Sequence, residues 1–262
     1  MKVYLLDNGY MSCDRNWIVN MATYATEKNR NPENVWTKMP VYCTLIDHPQ
    51  GKFIYDLGMD RHINEYMHEI GRHQEFSFPY TYSKEQLLEN QLALCNTTID
   101  EIKGIVVSHL HYDHIGNLPL FHDIDVYVPK EDYENALVKG KAELYFDQYI
   151  KRDDIHYIPI DHNFTLVPGV EIVHLGSSHC PGLLGMLVEL EEQNLFYPSD
   201  VLYTKENFGP PLRPRGREYD SLGFKKVAEE IRTLVNEKNA KIMYPHDIEE
   251  FETYKKAPAY YR

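Results

Sequence analysis

Residues 108–117 read Ser108-His109-Leu110-His111-Tyr112-Asp113-His114-Ile115-Gly116-Asn117, so His109, His111, Asp113 and His114 place four metal-competent side chains within six residues. Imidazole and carboxylate are ligands that Zn²⁺ and its first-row neighbours take up, and no thiolate accompanies them here. The chain carries 13 histidines, so a polar loop that is His-rich by composition is the plain alternative. The ordering of the four ligands and their setting argue against it. Ile105-Val106-Val107 is a β-branched run of the kind that forms a buried strand, and Gly116-Asn117 is turn-like, which puts the motif at a strand end. If extended geometry persists, His109 and His111 point to the same side. Asp113 and His114 then lie on the following turn, free to face a second ion. Four ligands split two and two, and each pair needs donors from elsewhere in the chain.

A length of 262 residues suffices to bury a full core, and one domain spanning residues 1–262 is expected. The formal charge of −13 argues against a nucleic-acid partner, because phosphate binding needs a basic patch that is not evident here, and against an anionic membrane surface. No apolar run approaches the ~20 residues of a membrane span. Cys13, Cys43, Cys95 and Cys180 are scattered without a Cys-x-x-Cys pair, and the start Met-Lys-Val-Tyr-Leu-Leu-Asp lacks the apolar core of a signal peptide. Free thiols in a cytoplasmic protein are the expectation.

Outward from the motif, the chain reads as α/β. Strands are expected at Lys2 to Leu6, at Val41 to Ile46 and Lys52 to Tyr55 flanking a turn at Asp47-His48-Pro49-Gln50-Gly51, and at Ile124 to Val128. Residues 60–95 look largely helical with an interruption at Phe78-Pro79-Tyr80. Thr98 and Glu101 have capping-box spacing, which suggests a short helix leading into the metal strand. A mainly helical stretch follows from Lys130 to Ile150, and then short strands around Ile155, Val170 and Leu187. Behind the caps Asp220 and Ser221, Phe224, Val227, Ala228, Ile231, Leu234 and Val235 recur at helical spacing, and a last strand runs from Lys241 to Tyr244. No repeat, low-complexity tract or interdomain linker stands out.

Three later sites repeat one arrangement, an apolar strand ending in a metal-competent residue at a turn. Val170 to Leu175 leads to His179, Leu195 to Tyr197 leads to Asp200, and Ile242 to Tyr244 leads to His246. Alone, such a His is commonly a hydrogen-bonded structural residue and such an Asp a helix cap. Taken with the first motif they complete two coordination spheres. Two Lewis-acidic ions about 3.5 to 4 Å apart lower the pKa of a shared water and polarise a substrate oxygen, which makes a hydrolase.

The order His-x-His-x-Asp-His, then His, Asp and His, matched by His109 to His114, His179, Asp200 and His246, resembles the metallo-β-lactamase superfamily over nearly the whole chain. The resemblance implies an αββα sandwich of α/β class with a dinuclear site at one edge of two sheets. It assigns His109, His111 and His179 to one ion and Asp113, His114 and His246 to the other, with Asp200 and a hydroxide bridging them. The metals implied are two divalent ions, zinc first, with iron, cobalt or manganese accepted by the same donors. A bridging carboxylate is generally lacking in the zinc β-lactamases, which are secreted, so antibiotic hydrolysis is disfavoured.

Ser199-Asp200-Val201-Leu202-Tyr203-Thr204-Lys205-Glu206-Asn207-Phe208 is similar to the Asp-x-x-Tyr-Thr-Lys-Glu-Asn-Phe run of the N-acyl homoserine lactone lactonases, the quorum-quenching enzymes. Pro40-Val41-Tyr42, Ile46-Asp47-His48-Pro49, Asp56-Leu57-Gly58-Met59 and His246-Asp247-Ile248-Glu249 extend the likeness. An ordinary half-buried Tyr, in a chain with 21 of them, is the bland alternative for Tyr203. By the resemblance, Tyr203 hydrogen-bonds the lactone carbonyl or its oxyanion while the bridging hydroxide attacks, and Asp113 passes a proton to the departing alkoxide. Cys180, next to His179, is then a bystander, and the partner is a small-molecule lactone.

Departures from the family pattern are Ile115-Gly116 where two glycines are usual and Leu183 where His is frequent. Residues 61–81, with Tyr66, Met67, Phe76, Phe78 and Tyr80, are expected to pack on the sandwich rather than line an acyl pocket, while Tyr112 is placed to touch substrate. Competing readings are a lactonase for another ring such as 4-pyridoxolactone, glyoxalase II and nuclease branches that share the ligands only, and a non-catalytic metal-binding sensor module. The sequence specifies no oligomeric state.

Overall fold

A long antiparallel pair organises the first sheet: β1 (Lys2–Asp14) runs against β2 (Trp36–His48) from Lys2 opposite Asp47 to Asp14 opposite Trp36. The computed structural model describes residues 1–69, 77–140 and 145–262. β1 continues eight residues past the expected end at Leu6, because the turn-like Asn8-Gly9 is absorbed as an irregularity between Asp7 and Tyr10 rather than ending the strand. Gly9 supplies the positive φ of +93° that this bulge requires. A tight turn at Pro49-Gln50 leads into β3 (Gly51–Tyr55), and β4 (Tyr80–Thr81) pairs with the far end of β1. The metal-motif strand β5 (Ile102–Val106), β6 (Ile124–Pro129) and β7 (Ile155–Ile160) then add in parallel, giving the order β4-β1-β2-β3-β5-β6-β7.

The second sheet contains β8 (Phe164–Val167), β9 (Val170–Gly176), β10 (Leu183–Val188), β11 (Asn194–Tyr197) and β12 (Ala240–Ile242) in the order β12-β11-β10-β9-β8. Strand β8 was not anticipated from the sequence.

Alternation along the strands builds the layers. Val3 and Leu5 of β1 meet Leu184, Met186 and Val188 of β10 between the sheets. Tyr4 and Leu6 turn instead toward Leu88 and Leu92 of α3 (Leu88–Leu94), and Ala136 of α5 (Lys130–Lys139) joins the same cluster. On the other side, Leu183 and Leu187 of β10 pack against Phe224, Val227 and Ile231 of α8 (Ser221–Glu237). The result is the expected αββα sandwich. Helix α8 starts as its sequence indicates, with the Asp220 carboxylate accepting from Leu222 N at 3.1 Å and Gly223 N at 2.9 Å.

The region 60–95 is less helical than its composition suggested. It contains α2 (Ile63–Glu69), β4, a 3-10 turn at Lys84–Gln86 and α3, with residues 70–76, Phe76 among them, outside the described set. The Thr98–Glu101 capping box forms, Thr98 N donating to Glu101 Oε2 at 2.8 Å, but it starts a 3-10 turn (Ile99–Glu101) because β5 begins immediately after. The Lys130–Ile150 stretch divides into α5 and α6 (Asp147–Ile150). All four cysteines are free and buried. Among the described residues, no helix is long and apolar enough to cross a membrane.

Helix α8 offers a direct test of this layering. Phe224 is 1% exposed and Leu222 is 79% exposed. Phe224→Ala should lower the unfolding free energy by about 3–5 kcal/mol, whereas Leu222→Ala should stay within about 0.5 kcal/mol of the parent. Urea denaturation followed by circular dichroism measures both, and equal effects would contradict the assignment of the buried face.

Candidate metal centre

Candidate ligands sit just past strand ends at one edge of the sandwich. Strand β5 stops at Val106, so the extended geometry expected to orient His109 and His111 is not continued, and His111 instead precedes the single-turn helix α4 (Tyr112–Ile115). The two imidazoles still converge, His109 Nε2 lying 3.0 Å from His111 Nδ1, which in turn lies 2.8 Å from Nε2 of His179 on the loop after β9. Asp113 and His114 are on α4, Asp200 lies in the 3-10 turn Ser199–Val201 after β11, and His246 follows β12. Gly116 closes α4 against the chain: its N donates to Gly58 O at 2.8 Å, and a Cβ there would stand 2.2 Å from Asp60 N. Ile115 and Leu183, the two departures noted above, are both buried core residues.

All seven residues fall into two donor groups, His109, His111 and His179 in one and Asp113, His114, Asp200 and His246 in the other. Asp200 faces both. Its Oδ2 is 3.2 Å from His179 Nε2 and 3.7 Å from His109 Nε2, while its Oδ1 is 3.2 Å from His246 Nε2 and 3.3 Å from His114 Nε2. Asp113 Oδ2 stands 3.5 Å from His114 Nε2 and 3.6 Å from His246 Nε2.

These contacts do not make a self-sufficient polar cluster. His114 Nε2, His246 Nε2 and Asp200 Oδ1 are buried without a hydrogen-bond partner although they aim at one another. Buried polar atoms ordinarily find partners, and a divalent cation would satisfy all three, so the donor set fits metal ions. The outward nitrogens of three histidines are already engaged: His114 Nδ1 contacts Asp56 Oδ2 at 2.8 Å, His246 Nδ1 contacts Pro40 O at 2.9 Å and His109 Nδ1 contacts Ser108 Oγ at 3.2 Å. Protonation at these Nδ1 atoms leaves each Nε2 lone pair directed inward for an ion.

The electrostatics match a site that either protons or a metal ion can fill, since binding an ion displaces protons from its ligands. Burial, reinforced by neighbouring cationic groups, holds His109 and His179 well below the ordinary imidazole range, so they stand as neutral donors. For His114 burial acts against the charge, but the carboxylates of Asp200, Asp113 and Asp56 outweigh it and raise the pKa well above the ordinary value. Burial likewise opposes ionisation of Asp200, yet His114, His246 and His179 hold its carboxyl well below the usual range, and Asp113 is lowered for similar reasons. Two ionised carboxylates amid imidazoles form a cavity that attracts a cation.

Several supporting residues went unassigned on sequence grounds. Asp56, at a left-handed φ of +57° beyond β3, accepts from Ser108 N at 2.7 Å and Ser108 Oγ at 2.9 Å besides contacting His114. Such a conformation is uncommon for a residue with a Cβ and is characteristic of functional sites. Asp132, buried on α5, accepts from Leu110 N at 2.7 Å and from the Tyr145 hydroxyl at 2.8 Å, fixing the backbone between His109 and His111. Asp56-Leu57-Gly58-Met59 was a recognisable segment without a role; Asp132 carried no signal in its acidic helix.

A cleft of about 410 Å³ opens onto the centre. Tyr203 lies on it with its ring edge-on to His246 at 4.8 Å and to His179 at 5.7 Å, and burial keeps its hydroxyl protonated by raising its pKa. Tyr112 also lines the cleft, as does Phe78, whose ring meets Trp17 at 5.4 Å. Phe78 thus packs against the core as expected for residues 61–81 and lines the cleft as well, whereas Met67 is buried in the core and the Tyr80 hydroxyl bonds Asn8 O. Cys180 donates its thiol to Gly182 O at 3.0 Å and is pushed well above the ordinary thiol range by burial, which leaves it an inert neighbour of His179.

Because Asp56 orients His114, Asp56→Asn should weaken divalent-cation binding by roughly 10–100-fold while the fold persists. Competition with a chromophoric chelator measures this, and unchanged affinity would remove Asp56 from the centre.

Comparison with known proteins agrees with this architecture. The chain is 28% identical over 264 residues to the N-acyl homoserine lactonase AiiB of Rhizobium rhizogenes, covering 95% of each. It is 26% identical over 272 residues to an N-acyl homoserine lactonase of Bacillus cereus, covering 99% of this chain and 98% of the relative. An N-acyl homoserine lactone hydrolase solved with the product N-hexanoyl-L-homoserine at its catalytic metal centre superposes with a TM-score of 0.85 at 26% identity, covering 99% and 98%. The Metallo-beta-lactamase superfamily profile matches residues 36–246, and with the sandwich and its edge-set donors in place, this chain belongs to that superfamily.

Proposed function

We propose that the chain, as a single hydrolase domain over residues 1–262, opens the lactone ring of N-acyl homoserine lactones. The observation that carries this reading is the placement of Asp200 between two donor groups, with Tyr203 against both His179 and His246 on the floor of the cleft. Relatives aligned over nearly the full chain are N-acyl homoserine lactonases.

On this reading His109, His111 and His179 would hold one divalent ion and Asp113, His114 and His246 a second, with Asp200 within reach of both groups; zinc would suit the donor set, and iron, cobalt or manganese would be accepted by it. When bound, the ions supply Lewis acidity and a more acidic water for attack on an ester carbonyl. Tyr203, a protonated donor beside the centre, hydrogen-bonds the carbonyl oxygen and stabilises the charge that develops on it. Water oxygen bonds to the carbonyl carbon and the ring C–O bond breaks. Asp113, ionised at neutral pH, accepts the proton lost by the water and returns it to the departing alkoxide. The products are a carboxylate and a hydroxyl on one molecule, with no side-chain nucleophile consumed. Trp17, Phe78, Met11 and Met39 give the cleft an apolar wall suited to an acyl chain. Four buried free thiols suit a cytoplasmic setting.

The test uses protein loaded with zinc, then with cobalt or manganese, and follows proton release from N-acyl homoserine lactones and from 4-pyridoxolactone. Ring opening of the homoserine lactones with about two ions per chain is expected; failure on both rings would overturn the lactonase reading. Tyr203→Phe should lower kcat by roughly 10²–10³-fold with metal content retained. Asp200→Asn should lower metal content and turnover together, as elemental analysis beside the assay will record.

A further inference from the structure

Arg215 is the largest fully buried side chain among the described residues. Its Nε donates to Glu218 Oε1 at 3.1 Å, its Nη2 donates to Glu218 Oε2, and its own backbone N donates to Glu218 Oε1 at 3.0 Å. The two side chains are 1% and 4% exposed. A guanidinium held in this way cannot rotate, and its centre lies 5.0 Å from the ring centroid of Tyr203. Its Nη1 is buried with no hydrogen-bond partner, so the hydrogen bonding of Arg215 is incomplete where it stands. A buried ion pair is a weak device for stability, since desolvation offsets most of the attraction. What this pair does supply is a fixed cation over an aromatic ring, a favourable contact when shielded from water.

The loop that carries Arg215 is itself held from two directions. Gly216 N donates to Trp17 O at 3.0 Å, and a Cβ on Gly216 would stand 2.1 Å from Asn16 O, so the loop lies directly on α1 (Arg15–Ile18). Asp220 N donates to Ser178 O at 2.7 Å, which ties the other end to the residue before His179. Tyr203 thus has the imidazoles of His179 and His246 and the Arg215 cation as neighbours.

We propose that Arg215, locked by Glu218, is a positioning residue that holds the Tyr203 ring in its working orientation. Arg215 acts through Tyr203 and does not itself touch substrate; the proposal rests on the reading of Tyr203 as the hydrogen-bond donor to the lactone carbonyl. Small displacements of such a donor are costly, because its effect depends on being in place before charge develops.

The test replaces both charges together, as Arg215→Gln with Glu218→Gln, so that no lone buried charge remains. This pair should lower kcat about tenfold, with KM within about twofold and metal content unchanged. Introduced into a chain already carrying Tyr203→Phe, the same pair should change kcat less than about twofold, because there is no hydroxyl left to misplace. Equal losses in both backgrounds would overturn the proposal. Arg215→Lys, which keeps the charge and loses the fork, should recover part of the kcat, and it carries the same cycle if the paired replacement does not fold. A crystal structure of the charge-free or Lys variant gives a readout independent of any substrate: a shifted or disordered Tyr203 ring is expected, and an unmoved ring would overturn the proposal even if no lactone proves to be a substrate.

Discussion

Five imidazoles and two carboxylates converge where they cannot satisfy one another, and the rest of the molecule is arranged around that constraint. The inward Nε2 atoms of His114 and His246 and the Oδ1 of Asp200 lack hydrogen-bond partners in a buried setting. Each such group costs about 1–3 kcal/mol if left unpaired. A cation relieves the cost at every one of them, so its binding free energy returns in part as folding stability. Until then the donors must be held apart by something else. Asp56, Ser108 and the Pro40 carbonyl occupy the outward nitrogens of His114, His109 and His246, and Asp132 pins the backbone between two of the histidines.

An αββα sandwich suits this task because both sheets end at the same edge. His109 follows β5 of the first sheet, while His179, Asp200 and His246 follow β9, β11 and β12 of the second. The strands are locked by inter-sheet packing of Val3, Leu5, Leu184 and Met186, so loops that would otherwise be mobile leave from rigid points. Links also cross between the sheets: the Tyr55 hydroxyl donates to Leu184 O at 2.8 Å, and the Tyr42 hydroxyl to Met243 O at 3.1 Å.

What was legible in the sequence was local. The His109–His114 cluster, the β-branched strand before it and the apolar stripe of α8 are each contained in a short window, where spacing alone carries the information. The later donors His179, Asp200 and His246 became legible only as a set, through the repeated pattern of apolar run and turn. Asp56 and Asp132 were not, because the hydrogen bonds that define their roles reach 52 and 22 residues along the chain. Arg215 escaped for a related reason: an Arg near a Glu in a Pro- and Gly-containing stretch reads as exposed, and only tertiary packing buries the pair. Local signals also misled. Asn8-Gly9 looks like a strand end, yet pairing with β2 continues through it, and Phe78, beside a proline, lies on the cleft rather than only on the core.

The same packing links the two halves of the cleft. Trp17 belongs to its apolar wall, while Tyr203 and the histidines form its polar floor. Gly216 joins the backbone of Trp17 to the loop that carries Arg215, and Asn207 bonds Ile18 O at 3.0 Å and Arg213 O at 3.0 Å, binding α1 to α7 (Lys205–Phe208) and to the start of that loop. Asp247 then accepts from Lys205 N at 3.0 Å while capping α9 (Ile248–Thr253), one residue after His246. The wall that would receive an acyl chain is therefore linked to the loops that carry Tyr203 and His246 through the Gly216–Trp17 backbone bond and the side chains of Asn207 and Asp247. Trp17 and the loops that carry Tyr203 and His246 thus belong to one hydrogen-bonded unit, so the apolar wall and the polar floor of the cleft are held in a fixed relation to each other.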